Sequence, residues 1–183
     1  MTEYSDFDLI SNGSMRWRNA KAVVPRLSPF WSSWLLDEGS LTQRLKVLGR
    51  GDFAVELLDE RWLHSTRAIQ LVGLRAAEAR QRLWSRKVVL KCAGEPCVAA
   101  HTLIPYSSMS GSLRQLRHLD DKPLGEFLFK KPELKRVSMH VCSVGDSKGR
   151  YSVFRLQGFP VLVAEFFLPN LQNLVVQQQK TME

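Results

Sequence analysis

Hydrophobic positions along the chain fall largely in short, strand-like runs. The densest is Pro160-Val161-Leu162-Val163-Ala164-Glu165-Phe166-Phe167-Leu168-Pro169, eight residues between two prolines, seven of them apolar. Valine and phenylalanine favour strands, and a continuous apolar run of this length predicts a strand covered on both faces. Alternation of apolar and polar positions predicts another strand over 53–58, and 82–92 and 97–104 predict a pair joined through Gly94-Glu95. Residues 134–144 and 151–157, the latter turning at Gln157-Gly158 into the proline-bounded run, bring the strands to six.

Helical patterning is confined to shorter stretches. Ser28-Pro29 supplies an N-cap and a first-turn proline, and Trp31, Trp34 and Leu35 then fall at i, i+3 and i+4 before Gly39. Ser40-Leu41-Thr42-Gln43 matches a capping box and opens a second helix through Leu45 and Leu48 to Gly49. Residues 61–81 are ambiguous: Leu71-Val72-Gly73-Leu74 reads as strand and 75–81 as helix. A helix over 112–119 and an apolar turn or helix over 124–129 lie between loop-forming segments and read as a movable cover over the sheet. The sum is a single α+β domain over 1–183, with loose tails expected at 1–14 and 170–183.

Composition narrows the function classes. With 44% hydrophobic and 24% charged residues the chain is globular rather than disordered. No apolar run approaches the roughly 20 residues of a membrane span, so no stable membrane insertion is expected. The acidic start lacks a signal-peptide pattern, and Cys92, Cys97 and Cys142 are odd in number with no CxxC pair, which together point to the cytoplasm. A net charge of +8 suits an anionic partner, or is simply a basic solvated surface. The basic residues are scattered and no nucleic-acid-binding motif is present, so no nucleic-acid partner is expected. His64, His101, His118 and His140 have no metal-ligand spacing among themselves or with the cysteines, and no phosphate-binding glycine loop or nucleophile elbow occurs. Neither a metal nor a cofactor is expected.

Two charges stand where an apolar sheet face should be. Glu165 lies inside the last strand, where an isolated charge costs several kcal/mol or more unless paired or protonated. On 82–92, strict alternation puts Arg86 with Trp84, Val88 and Leu90. A two-residue loop at Gly94-Glu95 sets His101 opposite Val88, diagonal to Arg86 on the same face. The plain alternative is a structural ion pair, or an arginine whose stem packs while its head reaches water. The functional one is an enclosed anion pocket. There a guanidinium fork grips a carboxylate, and a desolvated glutamate with a raised pKa exchanges a proton.

Five segments, in order, resemble the chorismate lyase family over about residues 28–169. They are Trp34-Leu35-Leu36 with Ser40-Leu41-Thr42-Gln43-Arg44; the Arg86 strand ending Cys92-Ala93-Gly94-Glu95-Pro96; Thr102-Leu103-Ile104-Pro105 with Ser110-Gly111; Lys122-Pro123-Leu124-Gly125-Glu126-Phe127-Leu128-Phe129; and Glu165-Phe166-Phe167-Leu168-Pro169. The resemblance implies a six-stranded antiparallel sheet with two helical flaps over a buried site. It also implies a monomer that converts chorismate, without a cofactor, to 4-hydroxybenzoate and pyruvate at the head of ubiquinone synthesis. A product held under closing flaps would leave slowly and inhibit. By the same resemblance Arg86 binds the ring carboxylate and Glu165 serves the 4-hydroxyl end. Leu41 and Leu124 line the ligand, and His101 stands where the family is expected to carry a second, substrate-binding arginine. A binding module of the same fold, sensing small carboxylates without chemistry, is the other reading.

Overall fold

The computed structural model describes Tyr4, Phe7 and residues 15–23, 27–73, 81–109, 111–119 and 122–180. In chain order these give β1 (Arg18–Asn19), α1 (Ala20–Val23), α2 (Pro29–Leu35), α3 (Leu41–Leu48), β2 (Phe53–Leu63), α4 (Thr66–Val72), β3 (Leu83–Cys92) and β4 (Glu95–Pro105). After two 3-10 segments, Tyr106–Ser108 and Gly111–His118, come α5 (Leu124–Phe129), β5 (Lys135–Val144), β6 (Ser147–Leu156), β7 (Phe159–Phe167) and α6 (Pro169–Lys180).

The described strands form one antiparallel sheet in the order β1-β5-β6-β7-β4-β3-β2. It is two meanders, β2-β3-β4 and β5-β6-β7, paired along β4 and β7. The expected six strands are all present. The seventh is the two-residue β1, too short to leave a periodic signal.

One face of the sheet is sealed by α4 and the segment around Met15, packing on Leu83, Ala99, Leu103, Leu162, Ala164 and Phe166. The opposite face is covered in two separate patches. Helices α2, α3 and α6 cover Leu90, Val98 and Phe167, while Leu113, Leu116, Leu119 and Leu128 cover Trp84, Ile104, Phe154 and Val163. The candidate site lies between these two patches.

Several expectations held because their local chemistry is explicit. Ser28 and Ser40 accept hydrogen bonds from the backbone of Trp31 and Gln43 and start α2 and α3. Gln157 and Gly158 take positive φ values of 53° and 86°, the geometry of a tight hairpin between β6 and β7.

Others are corrected. The segment expected to be loose after Asn170 is helix α6 through Lys180, because Leu171, Leu174 and Val175 form an i, i+3, i+4 stripe on the α2–α3 core. Residues 71–72 belong to helix α4, which Ser65 caps and Gly73 ends at φ 78°. The expected helix over 75–81 lies, apart from Gln81, outside the described residues, as does the expected loose segment 1–14 apart from Tyr4 and Phe7. The helix over 112–119 is a 3-10 turn. Buried Leu113 and Leu116 within it, and Leu119 just after it, repeat every three residues, the spacing that a 3-10 helix aligns on one side.

The candidate active site

The turn between β3 and β4, together with a bulge just beyond it, decides which side chains reach the site. Ala93 and Gly94, not Gly94 and Glu95, are the turn residues, with φ values of 51° and 75°. That turn by itself moves the pairing by two residues and leaves every face unchanged; the bulge between Leu90 and Lys91 moves it back by one, so Arg86 opposes Thr102 and His101 opposes Lys87. His101 consequently points to the other face of the sheet. It is 1% exposed there, with Nε2 2.9 Å from the Ser85 hydroxyl, so the expectation that it lines the ligand is corrected.

Arg86, Leu41, Leu124 and Glu165 do come together around one cavity. The cavity is narrow: the centre of a water-sized sphere can range over about 50 Å³ of it. Its floor is sheet. Glu165 on β7 opposes Ala100 on β4, and Arg86 on β3 opposes Thr102. Strand spacing and rise put the Arg86 and Glu165 Cα atoms about 12 Å apart across two strands. Between them lie Ala100, Thr102 and Val163, side chains small enough to leave a slot above the sheet. Leu41 and Thr42 from α3 form one wall, and Leu124, Gly125 and Leu128 from α5 form the cover.

The cover is seated closely. A Cβ on Gly125 would lie 2.5 Å from the Thr42 hydroxyl, so only glycine lets α5 approach α3 this far. Lys46 on α3 and Glu126 on α5 then form an ion pair across the contact.

Each buried charge has its own partner. Arg86, 2% exposed, donates through Nη1 to Glu60 Oε2 at 2.8 Å, its cross-strand neighbour on β2. Glu165 accepts from Arg150 Nε at 2.5 Å. Arg150 is itself 1% exposed, and its Nη1 also donates to the carbonyls of Trp34, Leu35 and Asp37 at the end of α2. The ion pair weighed as the plain alternative for Arg86 and Glu165 is thus two ion pairs with different partners. That leaves the two charges at opposite ends of the slot rather than cancelling each other.

Arg136 also lines the cavity and gave no signal in the sequence. Its Nη1 donates to the Asp37 carbonyl at 3.3 Å, and its guanidinium carbon lies 4.9 Å from the Phe154 ring centroid. Burial, then the nearby charge of Arg150, pushes its pKa below the usual arginine range, against the opposing pull of Glu165, Glu38 and Asp37. Among the described residues no cluster of three or more histidine, cysteine or carboxylate side chains is arranged to hold a metal ion.

A family model described as chorismate lyase matches residues 12–177. The chain belongs to the chorismate lyase family. Proteins named chorismate pyruvate-lyase from Salmonella schwarzengrund and Salmonella arizonae are each 36% identical over 80% of this chain and 87% of their own length. One from Enterobacter sp. strain 638 matches to the same extent. Among solved structures, the ligand-binding domain of a putative GntR-family transcriptional regulator from Bordetella bronchiseptica is similar at a TM-score of 0.47. It is 14% identical, over 65% of this chain and 84% of that one.

Proposed function

We propose that this protein converts chorismate to 4-hydroxybenzoate and pyruvate, with Arg86 binding the ring carboxylate and Glu165 handling the proton. One observation carries the assignment of roles. A guanidinium and a carboxylate face one covered slot from strands two apart, with a floor of small side chains between them. A flat six-membered ring carrying a carboxylate at one end and a hydroxyl at the other fits such a slot.

The reaction needs little from the protein beyond placement. The C4–H electron pair becomes the ring's third double bond, the bond from C3 to the ether oxygen breaks, and enolpyruvate departs. The proton lost from C4 is balanced by the proton gained at the enolpyruvate methylene carbon, so atoms and charge are conserved. Aromatisation makes the step downhill. The protein's tasks are then to orient the ring, exclude water and carry one proton. Arg86, oriented by Glu60, does the first; α5, latched on α3, does the second. Glu165, fixed by Arg150 beside the 4-hydroxyl end, does the third. Excess positive charge on the protein favours encounter with a doubly anionic substrate.

The reading of the fold as a non-catalytic carboxylate sensor drew its support from histidine at position 101. That side chain is on the far face of the sheet and does not bear on the cavity. Leu41, Arg86, Leu124 and Glu165 of a single chain all reach the cavity, which supports the monomer as the working unit. Among the described residues no helix is long and apolar enough to cross a membrane. A reducing compartment such as the cytoplasm suits the three buried thiols.

The test is turnover of chorismate by the purified protein, following 4-hydroxybenzoate by absorbance and pyruvate by a coupled assay. Equimolar products, with a large loss in Glu165→Gln, are expected. Untouched chorismate alongside tight binding of 4-hydroxybenzoate would replace the lyase with a sensor.

A further inference from the structure

Chorismate as the proposed substrate has a second carboxylate, on the enolpyruvyl group, that neither Arg86 nor Glu165 receives. Its position follows from the ring. The ether oxygen is on C3, next to the hydroxyl-bearing C4 and away from the ring carboxylate. With the ring carboxylate on Arg86 and the hydroxyl end at Glu165, the enolpyruvyl carboxylate emerges on the Glu165 side of the slot, toward β6 and β5.

Four cations lie in or beside the cavity. Arg86 is at the wrong end. Lys122 is exposed on the cover. Arg150 is already engaged by Glu165 and three carbonyls, and does not line the cavity. Arg136 lines it, on the required side. Its Nε is buried without a hydrogen-bond partner, and its one hydrogen bond, to the Asp37 carbonyl, is long at 3.3 Å. A buried charged donor left without an acceptor is costly, so such a group marks a place where a ligand can supply the acceptor. The backbone turns it there deliberately. The β5–β6 register shifts between Arg136 and Ser138, so Arg136 opposes Phe154 on the site face, with Met139 and Val141 opposing Ser152 and Arg150 on that same face. Arg136 also borders the outer cleft lined by Glu38, Lys131 and Leu134, so this end of the slot is the one adjoining solvent.

We propose that Arg136 is the receptor for the enolpyruvyl carboxylate and so the residue that distinguishes the substrate from its aromatic product. The assignment rests on the lyase reading above. A guanidinium edge offering Nε and an Nη suits a two-point grip on a carboxylate. Stacking on Phe154 fixes its plane. Once the ether bond breaks, the carboxylate that Arg136 holds belongs to pyruvate, and 4-hydroxybenzoate has nothing to offer this side chain.

The test compares Arg136→Ala and Arg136→Lys with the wild type, measuring chorismate kinetics and inhibition by 4-hydroxybenzoate on the same preparations. Arg136→Ala is expected to lower kcat/KM for chorismate about 10- to 100-fold, the range for losing a charged hydrogen-bonded pair. The 4-hydroxybenzoate inhibition constant should stay within about threefold. Arg136→Lys should recover part of the loss. Arg136→Gln, which keeps a donor for the Asp37 carbonyl, replaces the alanine variant if that one does not fold. Unchanged chorismate kinetics, or a parallel loss of product affinity, would overturn the assignment while leaving the lyase standing. A wild type that does not turn chorismate over would bring down the lyase reading and this assignment with it.

Discussion

Arg150 and Glu165 are cross-strand neighbours on β6 and β7, and Nε of the one lies 2.5 Å from Oε2 of the other. The same guanidinium closes off the carbonyl end of α2. A residue outside the cavity therefore sets where the cavity's only described carboxylate points. It also ties that position to the helix stacked above the sheet.

Removing Arg150 strands both sets of partners. Breaking a buried ion pair from one side costs about 3–5 kcal/mol. Arg150→Met should thus lower the urea unfolding free energy by about 3 kcal/mol or more and abolish most turnover. Adding Glu165→Gln should return part of the stability but none of the activity. A single variant as stable as the wild type would show that the pair contributes nothing to the fold.

Placing arginine at position 101 should not help catalysis. The side chain would enter the α4-side core in place of an imidazole held by Ser85. Burying an unpaired charge there costs at least about 2 kcal/mol. His101→Arg is expected to melt several degrees lower, by about 4–8 °C per kcal/mol at most for a domain of up to 100 residues and less for this longer chain. Its kcat/KM should not exceed that of the wild type. A gain in chorismate turnover would contradict the observed register.

The seating of the cover gives a paired prediction. Gly125→Ala places a methyl against the Thr42 hydroxyl and should hold α5 away from α3. Affinity for 4-hydroxybenzoate should fall about tenfold, the equivalent of roughly 1.4 kcal/mol. Thr42→Ala in the same chain removes the obstructing oxygen and should restore most of it. Isothermal titration of the single and double variants checks this, and two losses that simply add would refute the steric account.

Acid should weaken the fold through His140. Its ring is stacked on Tyr151 at 4.7 Å between centroids, its Nδ1 is buried without a partner, and burial holds its pKa below the ordinary histidine value of 6.5. The unfolded chain therefore takes up this proton more readily than the folded one. The contribution to stability is complete above about pH 6.5 and is lost as the pH falls through the lower folded value. Urea midpoints at about pH 7.5 and about pH 5.5 should differ more in the wild type than in His140→Phe. Equal differences would exclude His140 as the source.

The sheet and most of the site were legible because their signals are local. A proline-bounded apolar run with one carboxylate inside it is enough to place Glu165, and strict alternation places Arg86. What failed depended on position relative to a turn or bulge. The bulge between Leu90 and Lys91, which leaves no local signal, is what turns His101 to the face opposite Arg86. Ser147-Lys148-Gly149-Arg150 is rich in turn formers, so the sequence predicts this strand only from residue 151, whereas β6 begins at Ser147 and includes Arg150. The glycine there is a packing requirement, since a Cβ would lie 2.8 Å from the Phe166 ring. Alternation extended back from Met139 and Val141 sends Arg136 to the wrong face, and only the bulge at Val137 corrects it.

The two meanders meet at β4 and β7, and they divide the site between them. Arg86 and its partner Glu60 come from the first; Arg136, Arg150 and Glu165 come from the second. A chain emerging from the ribosome can complete its first meander tens of residues before β7 exists, and at that stage it carries the proposed carboxylate anchor without the proposed proton carrier. Pairing strands so far apart in sequence is slow relative to forming hairpins. On the proposed roles the site is complete only once β7 has been made, and a chain truncated before Glu165 should not turn chorismate over.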